Sequence, residues 1–404
     1  MQSIDPSHET LESRVDRTSW IGPGDLGLVM GGGGARAAYQ VGFLRALARR
    51  YPALQIPYIT GVSAGAINAA LLASHHGDFH QAVDELNGLW SKLRVEDVFR
   101  VDARSLTLHF LRWTAQLASG GAARKSRVRG LVDTQPLREY LSEALHAVQG
   151  ELTGVRLNCA RGRLKAVALS TSSYSTGQSV TWVQGQGIHE WERPQRRSRN
   201  CVLSVEHVMA SAALPLLFPA VELPGGWFGD GGIRLTAPLS PALHLGARRV
   251  LAISTRYDRS ESEADRPSVE GYPPPAQIAG VLMNSVFLDL LDHDALRLER
   301  LNQLLEKLPT EERMNLRPIK LMILRPSTDL GRMASRYEPQ LPRAFRFLTR
   351  GLGTRQTESP DFLSLVLFQP DYLCALMDMG ERDAEARLDE VSRFLEEEEE
   401  SVLV

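Results

Sequence analysis

The stretch LGLVMGGGGARAAYQVGFLRALARR, residues 26–50, decides the fold. Its first five residues are mostly apolar and predict a buried strand, four glycines follow as a turn, and residues 35–50 predict a helix. The same order returns at once, because a strand at 57–60 runs into the turn GVSAG, which precedes a helix at 66–75. Strand, glycine turn and helix in succession predict an α/β protein with helices on the faces of a sheet.

Later segments extend this pattern with further strands and many helices. Apolar runs predict strands at 164–171, 178–183, 250–254 and 319–324. The remaining predictions are helices at 206–213, at 276–306, after 324 and over most of 79–149, with breaks near Gly120 and Asp133, and an acidic, proline-rich loop at 261–275. We predict a three-layer α/β/α sandwich with a mostly parallel central sheet and a largely helical C-terminal extension.

The same patterns divide the chain into three parts. Residues 1–24 are polar and predict a loose leader, residues 25–255 form the main α/β domain, and residues 256–404 form a mainly helical extension. The extension could pack on the main domain and complete its core, cap a site or bind a partner.

Charge and composition exclude several classes of protein. The chain has 46 Lys and Arg against 48 Asp and Glu, so no overall positive charge favours nucleic acid as a partner. Cys159, Cys201 and Cys374 are scattered and lack CxxC spacing, which argues against a disulfide framework or a metal site. The sequence shows neither a signal peptide nor an apolar run of about 18 residues. We expect a cytoplasmic protein that meets a membrane only at its periphery.

The turn Gly61-Val-Ser-Ala-Gly65 matches G-x-S-x-G at a strand-to-helix junction. A nucleophile has to project from a sharp, strained turn, and glycines two residues before and after it let the chain segments approach closely. The N-terminal N–H groups of the following helix favour negative charge there. A glycine turn with an incidental serine is the alternative. The apolar strand before the turn and the alanine-rich helix after it favour Ser63 as a nucleophile.

Two functional interpretations compete for the four consecutive glycines at 31–34. A dinucleotide-binding G-x-G-x-x-G would need Ala37 in its last glycine position and an acidic residue near 56–60, where none occurs. An oxyanion hole instead needs free backbone N–H groups, which consecutive glycines offer without side chains in the way. Arg36 would add positive charge or hold the loop in place. We favour the oxyanion hole over a nucleotide site or a simple packing turn.

A serine nucleophile needs a general base, and the chain offers two candidates. Among its ten histidines, His244 is the best candidate for a triad, although no glycine-bounded loop presents it. Asp230 follows an apolar strand and precedes two glycines, which let the backbone turn and hold the carboxylate at the strand end. A plain Asp-Gly turn between strands is the alternative. Together with the two earlier motifs, Asp230 is the stronger candidate.

These three motifs, in this order, resemble the pattern of the patatin-like phospholipases. That family carries Gly-Gly-Gly-x-Arg/Lys, then G-x-S-x-G, then Asp-Gly-Gly or Asp-Gly-Ala, and the corresponding residues here are 32–36, 61–65 and 230–232. The likeness covers about residues 26–245. One departure is Ala37, where the family often has glycine.

The resemblance implies a Ser–Asp dyad without catalytic histidine, metal or cofactor, acting on phospholipids, lysophospholipids and other acyl lipids. Ser63 would attack an acyl carbonyl and Asp230 would accept its proton. Because an aspartate is a weak base near pH 7, we expect a desolvated Asp230 with a raised pKa. The supporting residues that the resemblance implies are Gly32, Gly33, Gly34 and Arg36 for the oxyanion hole, Gly61 and Gly65 for the nucleophile elbow, and Gly231 and Gly232 for the aspartate motif.

Two alternatives to a phospholipase A or lysophospholipase stay open. One is a soluble carboxylesterase or thioesterase that acts on small acyl substrates, and the other is a non-catalytic lipid-binding protein of the same fold.

Two basic segments are candidates for peripheral membrane contact. The first is the apolar and aromatic run 106–117 with the basic residues that follow it, Arg124, Lys125, Arg127 and Arg129. The second is the cluster Arg193, Arg196, Arg197 and Arg199. A core helix followed by a solvated loop is the competing interpretation of the first segment.

Overall fold

A computed structural model describes residues 17–100 and 130–397, apart from positions 266, 268, 270, 288, 289, 315 and 358. The membrane segment predicted at 106–129 therefore lies outside the described residues. The strands are β1 (Leu26–Met30), β2 (Tyr58–Val62), β3 (Ala166–Ser173), β4 (Ser179–Gly185), β5 (Glu192–Arg193), β6 (Arg196–Asn200), β7 (Val221–Leu223), β8 (Gly226–Asp230), β9 (Arg249–Ile253) and β10 (Lys320–Leu324).

All ten strands belong to one mixed sheet with a parallel centre. The main order is β10-β9-β1-β2-β3-β4-β6-β5, and β8 pairs with β3 and with β7. The five strands from β10 to β3 run parallel, whereas β4 is antiparallel to β3. Strands β1 and β2 are buried at every position, as expected when helices cover both faces of a parallel sheet. The carboxyl ends of the parallel strands meet at one edge, where α/β proteins place their sites.

Helices cover both faces of the sheet. The helices are α1 (Ala38–Arg50), α2 (Ala64–Ser74), α3 (Phe79–Lys92), α4 (Val95–Val98), α5 (Gln135–Ala144), α6 (Thr153–Ala160), α7 (Val205–Ser211), α8 (Ser240–Leu245), α9 (Glu261–Ala264), α10 (Pro275–Phe287), α11 (Leu290–Lys307), α12 (Leu330–Ala334), α13 (Arg343–Gly351), α14 (Asp361–Val366), α15 (Pro370–Ala386) and α16 (Leu388–Glu396). One core contains α1, α2, α3 and α15, and a second core contains α8 and α11.

The predicted α/β fold with a mostly parallel sheet is confirmed. The strands predicted before and after the glycine loop, and those at 164–171, 178–183, 250–254 and 319–324, all form within a few residues of the predicted positions. The loop predicted at 261–275 is wrong at its start, where Ser260 and Glu263 form a capping box that begins α9. The basic cluster at 193–199 lies on the edge strands β5 and β6. The sequence did not predict these strands, because their polar residues lack apolar alternation.

Residues beyond position 255 contribute to the same sheet and core as those before it. Strand β10 pairs in parallel with β9, and α15 packs along α1. The two helices approach so closely that a Cβ at Gly42 would overlap the carbonyl of Met377, and one at Gly380 would overlap the carbonyl of Tyr39. The described end of the predicted leader also makes contacts, since the Trp20 ring lies 5.2 Å from that of Tyr51.

The structure contains amphipathic and buried helices of ordinary length. Within residues 17–100 and 130–397, no helix combines the length and the apolar character needed to cross a bilayer.

Candidate active site

Ser63 lies in the sharp turn between β2 and α2. Its backbone has φ 56° and ψ −133°, a conformation that residues with side chains rarely adopt. Its N–H donates to Ser211 Oγ over 3.0 Å, and Ser211 Oγ donates to the Ser170 carbonyl over 2.7 Å. Ser211 therefore ties the strained turn to strand β3. The predicted nucleophile elbow has the geometry that projects a serine from the sheet edge.

Gly61 and Gly65 occupy positions where a side chain cannot fit. A Cβ at Gly61 would overlap the backbone of Gly65 and Ala66, and a Cβ at Gly65 would overlap the carbonyl of Met30. The first contact lets the chain reverse within the elbow, and the second seats the elbow against the end of β1. The flanking glycines thus bring Ser63 beside the glycine loop that follows β1.

Asp230 reaches the site because β8 continues where β2 stops. Strand β2 pairs with β3 as far as Val62 opposite Ser170, and β8 pairs with the next residue of β3 through Asp230 opposite Thr171. Strand β8 runs antiparallel, so it ends at the point where β2 delivers Ser63. A Cβ at Gly231 would overlap the Ser170 carbonyl, which explains the glycine after the aspartate.

The Asp230 carboxyl is completely buried, and no cation of the described residues lies beside it. Burial is the largest influence on it and raises its pKa from 3.8 to about 7, against the smaller lowering effects of the neighbouring Ser63 side chain and of the Gly232 N–H. Oδ1 accepts from the Gly232 N–H over 2.9 Å, whereas Oδ2 has no hydrogen-bond partner among the described residues. The Ser63 side chain is therefore close enough to lower the pKa of the Asp230 carboxyl, but its hydroxyl does not form a hydrogen bond of ordinary geometry with Oδ1 or Oδ2. Catalytic hydrogen bonds are often incomplete before substrate binds.

The glycine loop lies directly against Ser63. A Cβ at Gly32 would lie 2.9 Å from the Ser63 Cβ. Gly33 and Gly34 have φ of 144° and 55°, and Gly34 begins a 3-10 turn at Gly34–Ala37. Two side chains hold the loop carbonyls, since Gln40 Nε2 donates to Gly31 over 2.9 Å and Thr255 Oγ1 donates to Gly32 over 2.7 Å.

Arg36 is buried, and its guanidinium contacts helix α14. Its Nη2 lies 2.6 Å from Asp361 Oδ1, and its Nε donates to Ser364 Oγ over 2.6 Å. A Cβ at Gly34 would overlap the Leu365 carbonyl of the same helix. Of the two roles considered from the sequence, these contacts favour holding the loop in place over supplying charge to an oxyanion.

The histidines considered as alternatives to Asp230 have other surroundings. His244 stacks on Trp191 with ring centres 4.7 Å apart, and its pKa is lowered by burial and by nearby arginines. His207 contacts Ser204, and burial lowers its pKa to about 4. In the described part of the chain, no group of three or more His, Cys, Asp or Glu side chains is arranged to hold a metal ion.

Two small apolar cavities lie beside Ser63 and the strand ends around it. One has a volume of about 30 Å³ and includes Ser63 and Gly34 in a wall that is otherwise mostly apolar, with Trp90, Phe218 and Phe368 among its members. The other, of about 40 Å³, is bordered by residues 29–32, 60–62 and Gly232. Each volume accommodates only a few water molecules, so a long acyl chain can enter only when the lining side chains move apart.

Sequence reasoning missed the residues that support the motifs. Gln40 and Thr255 hold the loop and lie in no motif, and Ser211 holds the elbow from a segment, 204–219, whose likeness to the family gave it no such role. Asp361 and Ser364 hold Arg36 from more than 300 positions away. The position of Arg36 beside a buried glycine turn is the sequence signal for an acidic partner, because a buried arginine requires a counter-ion.

Comparison with solved structures gives remote likenesses. VipD from Legionella pneumophila is 15% identical with a TM-score of 0.37, and the alignment covers 91% of this chain and 67% of that one. Human GIVD cytosolic phospholipase A2 in complex with methyl gamma-linolenyl fluorophosphonate is 13% identical with a TM-score of 0.41, covering 92% and 59%. The type III effector ExoU is 14% identical with a TM-score of 0.33, covering 92% and 54%. The chain thus spans little more than half the length of the last two proteins.

Comparison with families is more decisive than comparison with single proteins. No curated protein matches the chain. The family model described as patatin-like phospholipase matches residues 28–243, which is more than half of the chain and includes all three sequence motifs. The chain therefore belongs to the patatin-like phospholipase family, and this membership supports activity as a lipid acyl hydrolase.

Proposed function

We propose that this protein is a serine hydrolase of the phospholipase A or lysophospholipase type, with Ser63 as nucleophile and Asp230 as its base. The observation that carries the proposal is the position of the Asp230 carboxyl, which is buried at the strand end beside Ser63 with its pKa raised to about 7. An ordinary aspartate would be too weak a base near neutral pH. Burial without a cation makes this one a stronger base.

The reaction proceeds through an acyl-enzyme. Ser63 Oγ attacks the ester carbonyl carbon while its proton passes to the Asp230 carboxylate, and the carbonyl oxygen becomes an oxyanion. The tetrahedral intermediate collapses, the carbon–oxygen bond to the alcohol breaks, and Asp230 returns the proton to the leaving oxygen. Water then attacks the acyl-serine, Asp230 accepts one of its protons, and collapse releases the fatty acid as Ser63 recovers its hydroxyl.

The glycine loop supplies the oxyanion donors in this proposal. The peptide units of the glycine loop are planar and trans, so each N–H points opposite to the carbonyl of the preceding residue. The carbonyls of Gly31 and Gly32 point to Gln40 and Thr255, and the N–H groups of Gly32 and Gly33 therefore point to the other side of the loop. Gly32 lies beside Ser63, which supports these N–H groups as the donors to an oxyanion formed on the acyl group.

The lining of the cavity beside Ser63 favours lipid acyl chains over small polar substrates. Its wall is almost entirely hydrophobic, and the aromatic rings of Trp90 and Phe218 contribute to it. A non-catalytic lipid-binding protein would have no need for the strained Ser63 backbone or for a buried carboxyl without a cation. A soluble esterase stays the main competitor, and substrate chain length separates the two activities.

The dyad is tested by hydrolysis of phospholipids, lysophospholipids and short nitrophenyl esters. Ser63→Ala should lower kcat by roughly 10⁴-fold or more, because it removes the nucleophile. Asp230→Asn should lower kcat by about 10²–10⁴-fold, because it removes the general base. Variants that hydrolyse all substrates as fast as the parent protein would show that the dyad assignment is wrong. A preference for short esters over lipids would favour the soluble esterase.

The pH dependence of kcat tests the base separately. Only the deprotonated Asp230 can accept the serine proton, and its pKa is raised to about 7. Activity should therefore fall about tenfold for each pH unit below 7 and level off above it. His244→Gln should keep the same profile. A shift or loss of the acid limb in His244→Gln would assign the base to the histidine.

A further inference from the structure

Helix α13 presents an unusual combination of positive charge and exposed apolar side chains. Residues 339–357 contain four arginines, at positions 343, 346, 350 and 355, and no acidic residue. On the helix, Phe347 is 78% exposed, and Leu348 and the following Leu352 are exposed as well. Arg343 precedes Phe347 by four positions and Arg350 follows it by three, so both arginines lie beside the exposed ring.

The inner face of α13 packs against the protein, so the exposed residues of its outer face are not needed to hold the helix in place. Phe345 and Thr349 are buried, and Thr349 Oγ1 donates to Glu338 Oε1 over 3.2 Å. In the described part of the chain, the acidic neighbour of these arginines is Glu338, which lies 3.9 Å from Arg355. The charges of Arg343, Arg346 and Arg350 are therefore not neutralised by ion pairs with described residues.

The inner face of α13 leads directly to the cavity at Ser63. The Phe345 ring lies 5.2 Å from that of Phe99, and Phe99 lies 5.9 Å from Phe218. Phe218 forms part of the wall of the cavity that contains Ser63. A surface bound by the outer face of α13 would lie two aromatic layers from the cavity wall.

Helix α10 extends the apolar surface. The Ala276 N–H donates to the Leu352 carbonyl over 2.8 Å, so the first turn of α10 adjoins the end of α13. Along α10, Ile278, Val281 and Leu282 are exposed at spacings that place them on one side of the helix. Val286 of the same helix contributes to the second cavity beside the dyad. Two neighbouring helices thus border the site and expose apolar residues to solvent.

We infer that the outer face of α13, extended by α10, docks on the surface of an anionic phospholipid bilayer. The partner follows from charge complementarity, because uncompensated arginines attract anionic headgroups while Phe347 and the leucines insert at the acyl boundary. This inference rests on the proposed function for its purpose, which is to bring the cavity at Ser63 to its lipid substrate. It differs from both basic segments considered from the sequence, since neither includes α13 or α10.

The test is sedimentation of the full chain with vesicles of phosphatidylcholine, with and without phosphatidylserine. Phe347→Ala should weaken binding to the phosphatidylserine vesicles about tenfold, because it removes the exposed ring. Arg343→Gln with Arg350→Gln should weaken it about 25-fold, because each arginine near an anionic surface contributes about fivefold. The matched control is Arg193→Gln with Arg199→Gln, which removes the same charge from β5 and β6 and should leave binding unchanged.

Hydrolysis of a soluble nitrophenyl ester separates docking from catalysis. All of these variants should keep the ester activity of the parent protein, since none of the changed residues touches the dyad. Equal loss of vesicle binding in the α13 and the β5–β6 variants would overturn the inference, because binding would then follow net charge. Absence of vesicle binding by the parent protein, or its retention after the α13 changes, would also overturn it. If the parent protein binds through α13 but hydrolyses no ester or lipid, docking stands and the proposed function fails.

Discussion

Two carboxyl groups lie near the candidate site, one fully buried and one partly buried, and their surroundings differ. Asp230, at the end of β8, is fully buried with no cation beside it among the described residues, and burial raises its pKa to about 7. Asp361, on the loop side, lies 2.6 Å from the Arg36 guanidinium and also accepts from Asn284 Nδ2 over 2.8 Å. The Arg36 guanidinium balances the charge of the Asp361 carboxylate, whereas no described cation balances the charge of Asp230.

This difference suits the two carboxyl groups to different roles, Asp230 to a role as a base and Asp361 to holding the glycine loop. A carboxyl without a cation costs stability when it ionises, and it is useful only if the reaction needs a base. A paired carboxyl cannot serve as that base, but it can fix the position of its arginine and of the loop that carries it. The family model ends at residue 243, so Asp361 and Thr255 support the glycine loop from beyond the matched region, whereas Gln40 supports it from within.

The comparison predicts that removing the two charges has opposite effects on stability, and the larger effect is expected at Asp361. Asp361→Asn leaves the buried Arg36 without its counter-ion, which typically costs about 3–5 kcal/mol. Denaturant unfolding measures this loss. If Asp361 also positions the oxyanion donors through Arg36, kcat should fall while KM stays near the parent value, because such donors act mainly on the transition state.

A surface ion pair provides the matched control for Asp361. Asp378 pairs with Arg45 at 3.4 Å, and its side chain is 56% exposed. Asp378→Asn should therefore cost less than about 1 kcal/mol and leave kcat unchanged. If the Asp361 variant is as stable and active as the Asp378 variant, the ion pair does not support the loop.

The second prediction is that Asp230→Asn stabilises the protein. The pKa of Asp230 is raised from 3.8 to about 7, so between these values the folded state binds a proton that the unfolded state has lost. The unfolding free energy of the parent protein should then decrease with pH across this window, relative to the Asn variant, by about 1.4 kcal/mol per unit. Above pH 7 the variant should be more stable by up to about 4 kcal/mol.

Thermal or denaturant unfolding at several pH values measures this difference directly. Near pH 4 the two proteins should be about equally stable, because Asp230 is then neutral when folded. A difference that does not change between pH 4 and pH 8 would contradict the raised pKa of Asp230. If Asp230→Asn is less stable than the parent protein at pH 8, the two carboxyl groups do not have opposite effects on stability.

The sequence predicted the elements that carry local patterns and missed those that depend on distant contacts. The sequence predicts Ser63 as a nucleophile because an elbow needs glycines at fixed positions, and Gly61 and Gly65 satisfy that need within five residues. It predicts Asp230 as the base because glycines also mark the turn after β8, and both roles stay predictions. Asp361 carries no comparable pattern, since its role arises only when α14 packs beside the glycine loop. Strands β5 and β6 escaped detection because their polar residues lack apolar alternation.

The smallest expected effect concerns Ser211, which supports the elbow from within the region that the family model matches. Ser211→Ala would leave the buried Ser63 N–H without its acceptor, at a cost of about 1–3 kcal/mol, and would loosen the strained turn that projects the nucleophile. Ser74→Ala is the matched control, because the buried Ser74 Oγ donates only to carbonyls of its own helix, those of Ala70 and Leu71. Unfolding and kcat should both respond to the first change and hardly to the second. If kcat falls in Ser211→Ala without loss of stability, this hydrogen bond positions the elbow more than it stabilises the fold.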